Sequence, residues 1–304
     1  MIKSIVVTNF KGESIALELF DPEASGMAII SIDGLGPATA TINTSALATI
    51  DGAIYNSARV GTRNIVLTLA FLEKATIEEV RLLTYKYFPV KKRVTLEIET
   101  DARRVVTYGY VESNDPNIFS KQQTTQISIL CPDAYFYSAE NGGINTTAYY
   151  EMSPMFTFPF ENIPLAASNL VMGEITQTTV GKIYYNGDFE TGMYIHMYIA
   201  GPVTSLSIYN LLTGAAMDID TAKITTLTGS ALGAGDEIFI STTKGEKSIT
   251  LIRGAFAINI INSLNRNASW LMVEPGENII GYSAVSGIEN VRVMIENRTV
   301  YEGV

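Results

Sequence analysis

Apolar residues recur at every second position through most of this chain. In the segment Arg63–Phe71, Ile65, Leu67, Leu69 and Phe71 alternate with Asn64, Val66, Thr68 and Ala70. A period of two places one row of side chains on a buried sheet face. The same pattern predicts strands at residues 2–8, 15–20, 27–33 and 93–100, then at 105–112 and 123–131. Lys11-Gly12-Glu13 joins the first two as a hairpin, and Asn114-Asp115-Pro116-Asn117 breaks the last two. Ala38–Thr44 is a threonine-rich strand bounded by Gly34-Leu35-Gly36-Pro37, expected at an edge or on an arm, and Asp51-Gly52 marks a turn before Tyr55.

One segment has the helical period instead. Ile77, Val80, Leu83 and Tyr87 fall on one face of a predicted helix over 76–88. Thr76 and Glu79 have the spacing of a capping box, and Pro89 stops the helix because it offers no amide and constrains Phe88. The stretch from Thr49 to Thr100 therefore reads strand, lone helix, strand.

Residues 139–155 carry the Gly, Asn and Pro content of a linker or surface loop. From Phe156 a second β pattern begins, with short strands predicted at 183–185, 193–199, 205–210, 216–219, 237–242, 248–252, 278–283 and 291–296. The expected organisation is mainly β with two domains. Residues 1–138 read as a β-sheet domain with one α-helix laid against it, and residues 139–304 as a sandwich or jelly roll.

Composition narrows the function classes. The chain has 304 residues, a net charge of −10 and no apolar run of the ~18 residues a membrane span needs. The charge is uneven: 13 basic and 15 acidic residues in 1–138, against 8 and 16 in 139–304. Such a balance opposes nucleic-acid binding by charge neutralisation. The first residues read as a strand and not as a signal peptide, which leads us to expect cytosolic synthesis.

Candidate chemistry is sparse. His196, the single histidine, lies in an alternating strand without a second histidine or a cysteine near it. Cys131, the single cysteine, reads as a small buried apolar residue. Gly34-Leu35-Gly36-Pro37 lacks the third glycine and the following helix of a dinucleotide fingerprint. Asn186–Gly192 holds two carboxylates that could ligate calcium, but a tight hairpin with solvated acids is the commoner meaning. No motif selects a carboxylate pair, so no enzyme, no catalytic residue, no metal and no cofactor is expected.

Several blocks carry a more specific likeness. ISIDGLGPATATINTSALATIDGAIYNSARVGTRNIVLTLAF, LTYKYFPVKKRVTLEIETD, GYVESNDPNIFSKQQTTQISILCPDAYFYS and YYNGDFETGMYIHMYIAGPV together resemble the distal tail proteins of tailed bacteriophages. The resemblance implies a belt domain similar to tail-tube subunits, a β-sandwich or split barrel with one α-helix over residues 1–138, and an outer galectin-like/jelly-roll or carbohydrate-module-like β-sandwich over residues 139–304. It implies a homo-hexameric ring at the distal end of the tail in the virion. That ring would join the tail-tube (major tail) protein to the trimeric tail-associated hub or lysin, with tape-measure and receptor-binding proteins as further partners. DNA would pass through the channel without specific binding, and nothing would insert into a membrane. The alternative is a carbohydrate-binding module that contacts the host cell wall. Thr39, Thr41, Asn43, Asp51, Tyr55, Arg59 and Arg63 are the expected subunit-interface residues, because a Thr-rich, Gly/Pro-bounded strand is a poor core strand but a usable edge. Glu97 and Glu99 alternate away from Leu96 and Ile98 and are the expected lumen residues.

Overall fold

The alternating stretches form strands, and neighbouring strands bury their apolar rows together. The computed structural model describes residues 1–47, 51–72, 76–120, 122–154 and 173–304. The starting points at Thr49 and Phe156 lie outside the described residues. Backbone contacts divide the chain into two units, Met1–Gly143 with Val300–Val304, and Ile144–Thr299.

The first unit contains β1 (Ile2–Thr8), β2 (Ser14–Glu18), β3 (Met27–Asp33), β4 (Ala40–Ala46), β5 (Ala53–Val60), β6 (Arg63–Phe71), α1 (Ile77–Tyr87), β7 (Arg93–Thr100), β8 (Arg104–Asn117), β9 (Thr124–Cys131) and β10 (Phe136–Ser138). Its main sheet runs β2-β1-β7-β8-β9-β6-β3. Ile5, Val7, Leu17, Leu67, Leu96 and Ile127 are fully buried in one cluster, and Val80 of α1 joins it. Thr76 caps α1, its Oγ1 accepting from the Glu79 N–H at 3.2 Å. Ile77, Leu83 and Tyr87 pack on the same cluster but are only partly buried, so the predicted stripe covers the sheet incompletely.

β8 does not end at the predicted breaker. It continues through Asn114-Asp115-Pro116-Asn117, paired with β9 as Asp115↔Gln126 and Pro116↔Thr125 after a register shift near Val111/Ser113. The pairing with β7 has already stopped at Arg93↔Tyr110. Beyond Val111, which still bonds Lys91 and Lys92, β8 has one side without a strand among the described residues, where a proline without an amide costs no ladder bond.

The second unit contains β11 (Ile144–Ala148), β12 (Tyr150–Pro154), β13 (Gly173–Gln177), β14 (Val180–Tyr185), β15 (Met193–Ile199), β16 (Thr204–Asn210), β17 (Ala216–Ile219), α2 (Thr221–Thr228), β18 (Asp236–Ser241), β19 (Ser248–Arg253), β20 (Phe256–Asn259), β21 (Gly276–Ser286) and β22 (Val291–Arg298). One sheet has the order β11-β22-β15-β18-β19-β20 and another β14-β21-β16-β17, while β12 and β13 pair with each other. Inward rows of the two larger sheets, such as Ile195, Ile240 and Val293 against Ile208 and Ile280, share one core.

Two expectations need correction here. The segment 139–155 is not a plain linker: β11 and β12 occupy most of it, and β11 pairs with β22 over Ile144↔Arg298 to Ala148↔Met294. As an edge strand, largely exposed, it needs no apolar row, so its sequence reads as a loop. The helix at 76–88 is also not alone. α2 is capped by Asp220, whose carboxylate accepts from the Ala222 N–H at 3.0 Å, and it ends on Gly229 at φ 80°.

Candidate functional site

The hairpin of β4 and β5 stands apart from the main sheet of the first unit. Among the described residues these strands pair only with each other, and every side chain on them is exposed. An isolated two-stranded hairpin is marginal in water, so this one calls for a covering surface.

The register shows what a cover would meet. Ala40↔Val60 and Ile42↔Ala58 alternate with Thr41↔Arg59 and Asn43↔Ser57. A register shift between Asn43 and Thr44 then brings Thr44 opposite Tyr55 and Ala46 opposite Ala53. Directly opposed residues share a face. One face is therefore Ala40, Ile42, Thr44, Ala46, Ala53, Tyr55, Ala58 and Val60, and it is almost wholly apolar. Ile42 is 61% and Tyr55 63% exposed on it. The other face holds Thr41, Asn43, Ser45, Ser57 and Arg59, with Ile54 as its one large apolar side chain, and it is tied by an Asn43 Nδ2 to Ser57 Oγ bond of 3.1 Å.

This placement separates the expected interface residues. Tyr55 lies on the apolar face. Thr41, Asn43 and Arg59 lie on the polar one, and Thr39 and Asp51 are exposed beside the strands. Arg63 does not belong with them. It is 2% exposed and points inward, so its side chain is out of a neighbour's reach. Its Nε and Nη2 donate to the Ala134 carbonyl at 2.9 and 2.7 Å, and Nη2 also to the Glu302 carbonyl at 2.6 Å. Nη1 donates to the carbonyls of Gly34 and Gly36. The guanidinium also lies 4.2 Å over the Phe136 ring. Burial pushes its pKa down from the usual range.

Arg63 thus ties the turn after β3 and the end of the chain to β6. Gly34 fits that turn because its φ is 87° and a Cβ there would stand 2.0 Å from the Asn64 carbonyl oxygen. Nothing in the sequence pattern marks an arginine at the start of a strand as buried. The signal that could have found it is the cluster of glycine and proline turns around it, whose carbonyls have few other donors.

Glu97 and Glu99 lie half-buried on β7. Glu97 is ion-paired with Arg104 of the neighbouring strand, and Glu99 stands opposite Arg104 in register. Their sheet face also carries Arg93 over the Tyr108 ring at 4.4 Å.

In the second unit, His196 Nε2 lies 3.0 Å from Glu237 Oε2, and its ring stacks on Phe239 at 4.1 Å. Around Asn186–Gly192, Glu190 is engaged by Lys244 Nζ at 2.8 Å. Cys131 is buried, and burial pushes its thiol pKa up, which disfavours a thiolate. Among the described residues no group of three or more His, Cys, Asp or Glu could hold a metal ion.

No protein-family model matches the chain, and no curated protein sequence does. Solved structures do. SPP1 Dit (gp 19.1), described as a paradigm of the hub adsorption apparatus in Gram-positive infecting phages, superposes with a TM-score of 0.61 at 9% identity, over 97% of this chain and 99% of that one. A chain of the phage P2 baseplate in its activated conformation with calcium gives 0.45 at 14% identity, covering 100% of both chains. The same baseplate with strontium gives 0.42 at 15%, covering 96% and 97%. The first likeness establishes a shared fold, and the other two are too distant to add to it.

Proposed function

We propose that this chain is a structural component of a bacteriophage tail tip, a distal tail protein without enzymatic activity. Copies of it assemble into a hexameric ring between the tail tube and the tail-associated hub. The observation that carries this reading is the hairpin of β4 and β5: a fold shared with SPP1 Dit presents an apolar sheet face that its own chain leaves open. Exposed apolar surface of this kind marks an interaction site.

In this reading residues 1–138 make the ring and residues 139–304 form the outer domain. Tape-measure and receptor-binding proteins are further partners, and the protein resides at the distal end of the virion tail. DNA passes through the ring. Its passage favours a bore with net negative or neutral charge, because a band of lysine and arginine would hold phosphates. Glu97 and Glu99 are candidates for that bore, with Glu97 partly neutralised by Arg104.

The test is light scattering after size-exclusion chromatography, together with electron microscopy of concentrated protein. Rings of six copies are expected. A protein that stays monomeric at all concentrations and on incubation with tail-tube protein would refute the assembly.

A carbohydrate-binding role would need open aromatic faces on the outer sandwich. Tyr194, His196, Tyr198 and Phe239 do share the outer face of the six-stranded sheet. However, His196 and Phe239 stack on each other, and Arg292 lies 5.7 Å over the Tyr198 ring. Tyr184 and Phe256 are exposed but lie on different sheets and do not form one platform, so the adaptor reading is preferred.

A further inference from the structure

We infer that the open edge of β2, with the groove between it and α1, receives the β5 edge of a hairpin from a second copy of this chain. Each subunit then gives a hairpin to one neighbour and takes one from the other. The inference rests on the ring reading above and specifies which surfaces meet.

The acceptor follows from hydrogen-bond parity. The Leu19 N–H donates to the Lys3 carbonyl at 3.1 Å, and the Asn9 N–H to the Glu13 carbonyl at 2.9 Å. Antiparallel strands alternate bonded and non-bonded pairs. Counting by two, Ile5↔Leu17 and Val7↔Ile15 are bonded pairs, whereas Ser4↔Glu18, Val6↔Ala16 and Thr8↔Ser14 are not. Ser14, Ala16 and Glu18 therefore turn their N–H and C=O groups away from β1. β2 ends the sheet, so these groups meet no further strand among the described residues.

They open onto a groove of about 440 Å³. Ile15, Ala16 and Glu18 of β2 line it together with Glu79, Val80, Leu83 and Tyr87 of α1, and Ala24 and Ser25 of the segment after β2 also border it. An unpaired edge beside an apolar helix face is the geometry in which an added strand gains main-chain bonds and side-chain pockets together. The opposite edge, β3, is a poorer template. Its own register shifts between Ile29 and Ser31, which disrupts the edge for pairing.

The donor has the matching pattern. With the apolar face of the hairpin turned toward Leu83 and Tyr87, Ala58 and Val60 continue the inner row of Ile15 and Leu17. Arg59 then falls on the outer row with Glu18. Arg59 makes no ion pair among the described residues, and neither Glu18 nor Glu79 on the groove does. The charges are complementary. Because donor and acceptor are different surfaces of one chain, the contact is heterologous, and repetition closes into a ring when the rotation allows.

Two sets of variants test this. Chains carrying Ala16→Cys and Ser57→Cys, both on the outer row, are mixed and oxidised. A covalent dimer is expected from the mixture, and a ladder of higher species from the double variant. Each single variant alone should give neither, since Cys131 is buried. Ala16→Pro removes an outward donor that β1 does not use, so the melting profile should stay unchanged while assembly falls at least tenfold. Rings without the cross-link, or an assembling Ala16→Pro chain, overturn the inference and leave the ring reading standing. Absence of both rings and cross-links overturns both.

Discussion

Replacing Arg63 with methionine should destabilise the first unit strongly and spare the second. Methionine fills the space of the side-chain stem but donates nothing. Four carbonyls, those of Gly34, Gly36, Ala134 and Glu302, lose their guanidinium partner. A buried acceptor left unsatisfied costs about 1–3 kcal/mol. If water reaches half of these four, the loss is roughly 2–6 kcal/mol, against a total domain stability of about 5–15 kcal/mol. For a unit of this size each kcal/mol shifts the melting temperature by about 2–8 °C. Differential scanning calorimetry of the full chain is the assay. The expected result is a large downward shift of the transition that belongs to residues 1–143, with the other transition fixed. Arg63→Lys keeps the charge but not the fork, and should lose less. Deleting residues 300–304 removes one of the same bonds, so the deletion and Arg63→Met should combine to less than their sum. A fully stable Arg63→Met chain, or equal shifts of both transitions, would refute the reasoning.

Three other outcomes follow from the structure. Ile42→Ser with Tyr55→Ser should leave the melting temperature unchanged, because both side chains are exposed, and should abolish ring formation by light scattering. Phe88→Ala, at a fully buried position, should cost about 3–5 kcal/mol in urea unfolding, and Leu83→Ala, half-open to the groove, less than about 2 kcal/mol. Burial pushes the Asp236 carboxyl up, but bonds from Arg253 at 2.6 and 2.8 Å and from the Gly233 N–H outweigh it and leave the pKa below the usual value. A depressed folded pKa contributes stability that is present above about pH 4 and lost as pH falls through the folded value. Asp236→Asn should therefore reduce the acid sensitivity of the second unit below that pH in urea melts, while lowering its stability at neutral pH.

Much of the fold was legible because alternation is a local signal. β3, β7, β15 and β17 have the bounds that their apolar rows dictate. Where the structure departs from the pattern, non-local pairing decided. Pro116 sits in a strand because β7 has ended beside it. α2 is rich in threonine, a poor helix former, and is held by its caps. β11 is strand only because β22 lies alongside. The hairpin was legible as an exposed arm, but its two faces were not. They depend on a register shift that brings Tyr55 onto the same side as Ile42. The burial of Arg63 depends on carbonyls as far away as Glu302.

The return of Val300–Tyr301 to β10 has a consequence for the order of synthesis. The first unit begins to emerge from the ribosome before the second, yet it cannot complete its sheet until Tyr301 has been made. All of Ile144–Thr299 is translated in between, which takes roughly 8–30 s at ~5–20 residues per second. During that interval the nascent first unit lacks the strand beside β10 and the Glu302 carbonyl that Arg63 binds. The open hairpin is already exposed at that stage. Full closure of the first unit therefore comes only after the whole second unit has been translated, which limits how early one nascent chain can offer a finished subunit to another.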